Sequence, residues 1–267
     1  MALIFEDKIV VFIDILGFGT IVEKAARDAN SDEAERLEKA LKIIQLLAPV
    51  DSDDEDEFGL KGLNVQIFSD SVILSCPPNP SGLQELFKIL SLLFVQLMIE
   101  GVWIRGGISF GKFSSNPVTP CGPAVNSAYQ IESKIAGFPR LALSASMVEF
   151  CRKNDPQILD SIYVQRDEDG VFAVSPLKFA TEDHVQFGMD VRDHATEICE
   201  RLNDALEQIV DRPDHFRKIN ELADRWNWIA DKKKGFFPKS YRTKGYIDFV
   251  DIIDGGLDGQ TLDGDDF

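Results

Sequence analysis

Residues 8–16 run apolar without alternation, in β-branched and aromatic side chains, and stop at Gly17. Such a run predicts a strand buried on both faces. Residues 20–48 change to helical spacing. The spacing breaks at "DANSDEAE", where Asn30, Ser31 and Asp32 can cap a second helix. In "LNVQIFSDSVILSC" the pattern returns to strands, Leu63–Phe68 and Ser71–Ser75, joined through Ser69 and Asp70 as a hairpin. Residues 82–100 read as an amphipathic helix that starts after Pro80 and ends at Gly101. "VWIRGGISFG" is a further strand. Its paired Gly106 and Gly107 predict close approach of a ligand or of another backbone. "GPAVNSAYQIESKIAG" is a helix with Pro123 in its first turn and Gly137 past its end. A short strand "RLALS", a helix "ASMVEFCRKN" and strands near 160–166 and 171–175 follow.

This order fits the α+β class: an antiparallel or mixed sheet with helices over one face. Two long amphipathic helices occupy 189–233, parted by Pro213. They predict a helical hairpin packed on the sheet domain or on a partner chain. The chain therefore divides into a sheet domain over 1–185, a helical extension over 186–253 and a Gly/Asp-rich tail over 254–267, expected to be disordered. "DSDDEDEFG" reads as a solvated acidic loop. The glycine and distal glutamate of a calcium loop are misplaced in it.

A length of 267 residues allows one full core plus a subdomain, and a 44% apolar fraction is that of a globular protein. The formal net charge of −17 argues against a nucleic-acid partner. It does not argue against a small phosphorylated ligand, because carboxylates can hold divalent metals that meet phosphates. The longest apolar stretch, Ile89 to Ile99, is too short to span a bilayer and holds Ser91 and Gln96. The acidic N-terminal segment lacks the basic region of a signal peptide, so no membrane partner and a cytoplasmic location are expected. Cys76, Cys121, Cys151 and Cys199 are widely spaced and read as reduced, mostly buried thiols. His184, His194 and His215 show no metal spacing.

The candidate chemistry lies in two carboxylates. Asp14 interrupts the first apolar strand near its end, and Asp70 sits at a hairpin tip. If the hairpin lies beside that strand, the two converge at one edge of the sheet. Two buried carboxylates without a cation repel, and one takes a proton. A pair of divalent ions ~3.5–4 Å apart removes that penalty and suits in-line displacement at phosphorus. "ILGFGT" after Asp14 is a glycine-containing turn into a helix, whose free N–H groups can cradle phosphate. Arg105, on the double-glycine strand, can pair with a terminal phosphate. Each feature also has a plainer use: a turn former, a helix cap, a surface ion pair.

Taken in order, these blocks resemble the class III nucleotidyl cyclases, the adenylate and guanylate cyclase family. "VFIDILGFGTIV" is similar to the first metal-aspartate motif and "QIFSDSVILS" to the hairpin with the second. "IRGGISFGKF" resembles the arginine strand, and "GPAVNSAYQIESKIAGFPRLALSASMVEF" the asparagine helix with its following strand. The likeness covers roughly residues 8–150. It implies a ferredoxin-like cyclase domain over 1–185. It implies two Mg²⁺ or Mn²⁺ ions per site, held by Asp14, Asp70 and the Ile15 carbonyl. Phe18, Gly19, Thr20 and Arg105 would hold the β- and γ-phosphates. Asn126 would serve the transition state. The family works as a head-to-tail dimer whose active sites span the interface, so a homodimer is implied.

The departures matter as much. Where purine cyclases carry lysine or glutamate, four residues before the second aspartate, this chain has Gln66; the second base-reading position is Thr119. Gln130 stands where the family has a transition-state arginine, and Lys134, one helical turn further, is a candidate substitute. Retained metal aspartates with a rewritten base pocket resemble the pyrimidine cyclases of the Pycsar anti-phage systems. That likeness implies UTP, or alternatively CTP, as substrate, and a separate effector protein that reads the product. Gln66 and Asn64 amides could bond either base. An adenylate cyclase and a catalytically dead nucleotide-binding module remain open.

Overall fold

Strand β1 (Glu6–Ile15) is flanked on both sides and organises the sheet. The computed structural model describes residues 3–47, 62–116, 119–181, 191–209 and 212–232. Successive β1 side chains alternate between faces. Ile9, Val11, Ile13 and Ile15 join the main core, while Val10 and Phe12 pack in a second cluster on the other face, followed by Asp14. Burial on both sides explains the unbroken apolar run that surrounds the aspartate.

After β1 come helices α1 (Phe18–Arg27) and α2 (Asp32–Gln45), the latter capped by the Ser31 hydroxyl, which accepts from the Ala34 N–H at 3.2 Å. Strands β2 (Asn64–Phe68) and β3 (Ser71–Cys76) form the expected hairpin around Ser69 and Asp70, with Ser69 at a φ of 56°. Helix α3 (Leu83–Ile99) leads to β4 (Ile104–Asn116). These elements complete a β-α-β-β-α-β unit with strand order β2-β3-β1-β4, the ferredoxin-like arrangement.

Strand β5 (Thr119–Cys121) folds back on β4, and α4 (Pro123–Lys134) leads to β6 (Leu141–Leu143), which pairs parallel with β4. After α5 (Ala145–Asn154), β7 (Val164–Arg166) and β8 (Phe172–Val174) close an eight-stranded sheet in the described residues. The strand expected near 160–166 begins only at Val164, because Asp160 ends a 3-10 turn and residues 161–163 continue as a turn.

The fold is thus α+β with an open, mostly antiparallel sheet. The helices gathered on the expected face include α3, whose Leu86, Phe87, Leu90, Phe94 and Leu97 meet the odd β1 residues in one core. Helix α4 lies instead across the opposite face. Its Ala124, Val125 and Ala128 are buried, the first two against Val10, Ile73 and Phe113. Gly107 makes this approach possible, since a Cβ there would strike the Ala128 carbonyl and lie 2.8 Å from the Ile131 Cβ. The paired glycines therefore admit backbone.

Helices α6 (Pro176–Thr181), α7 (Val191–Gln208) and α8 (Pro213–Lys232) complete the described chain. Ile198, Leu202, Leu206, Phe216, Leu222 and Trp226 of the last two share the core of the sheet and α3. The C-terminal hairpin thus packs on the sheet domain. The helical stretch Pro80–Ile99 has the length and apolarity to cross a membrane, and it is the central core helix. Cys76, Cys151 and Cys199 are free and buried, and burial pushes their thiols up to about 12, 12 and 11. The acidic loop 51–59, His184 and the tail 254–267 fall outside the described residues.

Candidate functional site

Asp14 lies opposite Ser71 of β3 on one side and Arg105 of β4 on the other. The β2–β3 hairpin tip is tied to the same place: the Ile15 N–H donates to the Asp70 carbonyl at 3.0 Å. The two aspartates are therefore neighbours across adjacent strands, as the sequence pattern anticipated, and Asp70 acts electrostatically on Asp14. Residues opposed across antiparallel strands share a face. Arg105 points with Asp14, its Nη2 3.6 Å from the Asp14 carboxylate.

A third carboxylate completes the cluster. Glu132 is 3% exposed and ion-pairs with the Arg105 guanidinium. Sequence reasoning left it without a role, although a signal was present. It falls on the buried stripe of α4 with Ala124, Val125 and Ala128, where a carboxylate needs a partner. Burial, then Glu132 and Asp70, push the Asp14 carboxyl from 3.8 up to about 6, with Arg105 and Lys218 opposing. Two carboxylates, Asp14 and Glu132, flank the half-buried Arg105 guanidinium, and Asp70 adds its charge at Asp14, so the surplus is negative.

That surplus suits a hard cation. The donors are carboxylate oxygens and backbone carbonyls, without thiolate or imidazole, the set preferred by Mg²⁺ and Mn²⁺. Among the described residues no group of three acidic, histidine or cysteine side chains is close enough to enclose an ion. An ion bound at Asp14 and Asp70 would keep open positions, as Mg²⁺ does when it also meets phosphates. The residues present fit the group.

Gly17, at a φ of 75°, turns the chain from β1 into α1 without a side-chain cap. Phe18 packs on the core, while Gly19 and Thr20 are exposed, and a Cβ built at Gly19 would have nothing within 4 Å. The start of α1 follows Asp14 and Ile15 directly, so its N-terminal N–H groups open near the carboxylates.

The remaining sequence candidates divide. Gln66 faces Ile73, which faces Phe12, so it shares the Asp14 side of the sheet two residues along. Its amide oxygen is buried without a hydrogen-bond partner. Thr119 opens β5 opposite Asn116, at the end of β4 remote from Arg105. Asn126, Gln130 and Lys134 are exposed on α4. Glu132 stands on the opposite, buried side of the same helix. Asp14, Ile15, Asp70 and Arg105 are therefore neighbours in one chain, Phe18–Thr20 follow them at the start of α1, Asn126 is exposed on α4, and Thr119 lies at the far end of β4.

No family profile and no curated protein matches the sequence. Among solved structures, the chain is similar to the monomeric guanylyl cyclase domain of the RhoGC fusion protein from the aquatic fungus Blastocladiella emersonii. The identity is 16%, over 65% of this chain and 98% of that one, with a TM-score of 0.43. It is also similar to a bacterial light-regulated adenylyl cyclase, at 16% identity over 75% of this chain and 58% of that one, with a TM-score of 0.43. A class III adenylyl cyclase-like ATP-binding protein from Pseudomonas aeruginosa matches at 9% identity over 65% of this chain and 39% of that one, with a TM-score of 0.45. At these values the fold is read from the chain's own strand order.

Proposed function

We propose that the chain is a nucleotidyl cyclase that converts UTP to 3′,5′-cyclic UMP and pyrophosphate. The observation that carries this reading is the meeting of Asp14 and Asp70 at one sheet end, beside Arg105 and the start of α1. Asp14, Asp70 and the Ile15 carbonyl would hold two Mg²⁺ or Mn²⁺ ions. Bound there, the ions supply Lewis-acid charge to the triphosphate and lower the pKa of the 3′-hydroxyl.

The protein's own groups do the rest. N–H groups of Phe18, Gly19 and Thr20 receive β- and γ-phosphate oxygens. Glu132 and Asp14 fix the Arg105 guanidinium. The buried Nε of Arg105 has no acceptor among the described residues, which leaves a donor for phosphate. The 3′-hydroxyl gives its proton to water, and its oxygen attacks the α-phosphorus in line. The bond from that phosphorus to the α–β bridging oxygen breaks, and its electron pair leaves with pyrophosphate.

Asn126, exposed and turned away from Asp14, serves the site of a second copy, so the working unit is a homodimer. Gln66 and Thr119 read the base. The unpartnered Gln66 amide supports a pyrimidine edge, because it can accept from uracil N3–H or cytosine N4–H₂. CTP and ATP are the alternative substrates. In this reading the product is a second messenger in bacterial anti-phage defence, sensed by a separate effector protein.

One observation favours a second reading, a nucleotide-binding module without catalysis: Gln130 puts an amide where the resembling family has a guanidinium. Incubation with each of the four NTPs and Mn²⁺ separates the two. The expected product is cyclic UMP, abolished in Asp70→Ala. Metal-independent nucleotide binding without turnover would establish the module. Absence of both binding and cyclic product, beside an active control enzyme, ends the reading.

A further inference from the structure

Helix α4 carries an aromatic ring to the edge of the candidate site. Tyr129 is 54% exposed, and its ring meets Phe12 edge to face, the centroids 5.4 Å apart. In such a pair at least one Tyr129 face is left uncovered by Phe12. Phe12 stands two residues before Asp14 on the same face of β1, about 7 Å along the strand. One helical turn beyond Tyr129, Glu132 ion-pairs with Arg105. The ring therefore lies beside the carboxylate cluster. It belongs to neither apolar core, so the fold leaves it available.

The helix that presents the ring is fastened at both ends of its crossing. Its Ala128 carbonyl meets the sheet at Gly107. Past its C-terminus, Arg140 Nη2 and Nε donate to the Ile135 and Ala136 carbonyls at 2.6 and 3.2 Å. Arg140 also bonds the buried Asp167 at 2.8 Å, and Asp167 ion-pairs with Arg225 of α8. From Phe12 a row of opposed residues runs across the sheet through Ile73 to Gln66, all on one face. The Gln66 amide oxygen is buried and unpartnered. An exposed ring and a vacant amide acceptor thus stand on the two sides of Ile73, on strands about 10 Å apart. A planar heterocycle suits that pair, with a π face for the ring and a polar edge for the amide.

We infer that Tyr129 stacks on the base of the nucleotide whose triphosphate is held beside Asp14, while Gln66 reaches the edge of that base. The inference rests on the nucleotide-binding part of the proposed function. It extends that reading with a division of labour: the ring adds affinity for any base, and the amide chooses among bases.

3′-Deoxy-UTP lacks the attacking hydroxyl and so binds without being cyclised. Its affinity for the full chain in Mn²⁺, followed by calorimetry beside that of inorganic triphosphate, tests the inference. Tyr129→Ala should weaken 3′-deoxy-UTP about tenfold and leave inorganic triphosphate unchanged. Tyr129→Phe should bind both as the parent does. In Tyr129→Ala, 3′-deoxy-CTP should lose as much as 3′-deoxy-UTP, whereas Gln66→Ala should change the ratio between the two. An unchanged ratio would remove Gln66 from the base. Equal losses of 3′-deoxy-UTP and inorganic triphosphate in Tyr129→Ala would mark a displaced helix and overturn the stacking role, as would undiminished affinity. With binding lost in Asp14→Asn, either result leaves the nucleotide reading standing. No binding of either ligand by the unsubstituted chain overturns both.

Discussion

At the scale of single residues, Asp14 is under strain from its surroundings before any ligand arrives. Its carboxyl is pushed up to about 6 by burial and by Glu132 and Asp70. The fold therefore binds this proton more tightly than the unfolded chain does. Stability falls as pH rises from about 4 through 6, and above that window the penalty stays at its full value. A rise of two units corresponds to roughly 3 kcal/mol, which solvent screening at a partly exposed carboxylate reduces to about 1–2 kcal/mol. Asp14→Asn should accordingly unfold at higher temperature than the parent at pH 7 in chelator, with the gain gone near pH 4. Arg105 keeps Glu132 as partner in that variant. A carboxylate that lowers the stability of its own fold is placed there for something other than folding. Asp14 and Asp70 were legible because each broke a pattern, one an apolar strand and the other a hairpin tip. Glu132 was half-legible as an acid on an apolar helix stripe.

At the scale of elements, α4 decides how the site is held. It crosses the sheet so closely that the Gly107 Cα hydrogen faces the Ala128 carbonyl. Gly107→Ala must lift the helix or shift the strand, and overpacking of this kind costs about 1–3 kcal/mol or more. Urea unfolding should show that loss, and Glu132 would move with α4 away from Arg105. The Asp167 cluster fixes the other end of the helix. Asp167 is buried between Arg140 and Arg225, so Asp167→Asn removes the buried counter-charge they share and leaves each only a half-exposed partner, Asp169 and Glu221. The expected destabilisation is about 3 kcal/mol, read by the same urea titration. Strand and helix types were readable from apolar spacing in β1, the hairpin and α3. The position of α4 on the opposite face was implicit in the two-sided burial of β1, yet the pattern did not name which helix would cover it. The strand expected near 160–166 was drawn too long because Ile162 and Tyr163 fit a strand pattern, whereas they lie in the turn that follows Pro156–Asp160.

At the scale of the whole molecule, the residues of the proposed reaction divide into two sets on one chain. Asp14, Asp70 and Arg105 sit at one end of the sheet, and Asn126 faces outward from α4 on the side away from Glu132. In the proposed reaction the two sets would meet across a self-complementary pair of chains. The division can be tested without knowing the interface. Asp14→Asn and Asn126→Ala each remove one set and should each be inactive alone. In a mixed dimer one site loses both residues and the other keeps both. Random reassortment of equal amounts should then restore about a quarter of the parental rate, because half of the dimers are mixed and each carries one intact site of two. Recovery must depend on subunit exchange and vanish when the dimers are cross-linked before mixing. A mixture as inactive as its components, with exchange demonstrated by labelled chains, would place both sets in one protomer's site and remove the dimer from the mechanism.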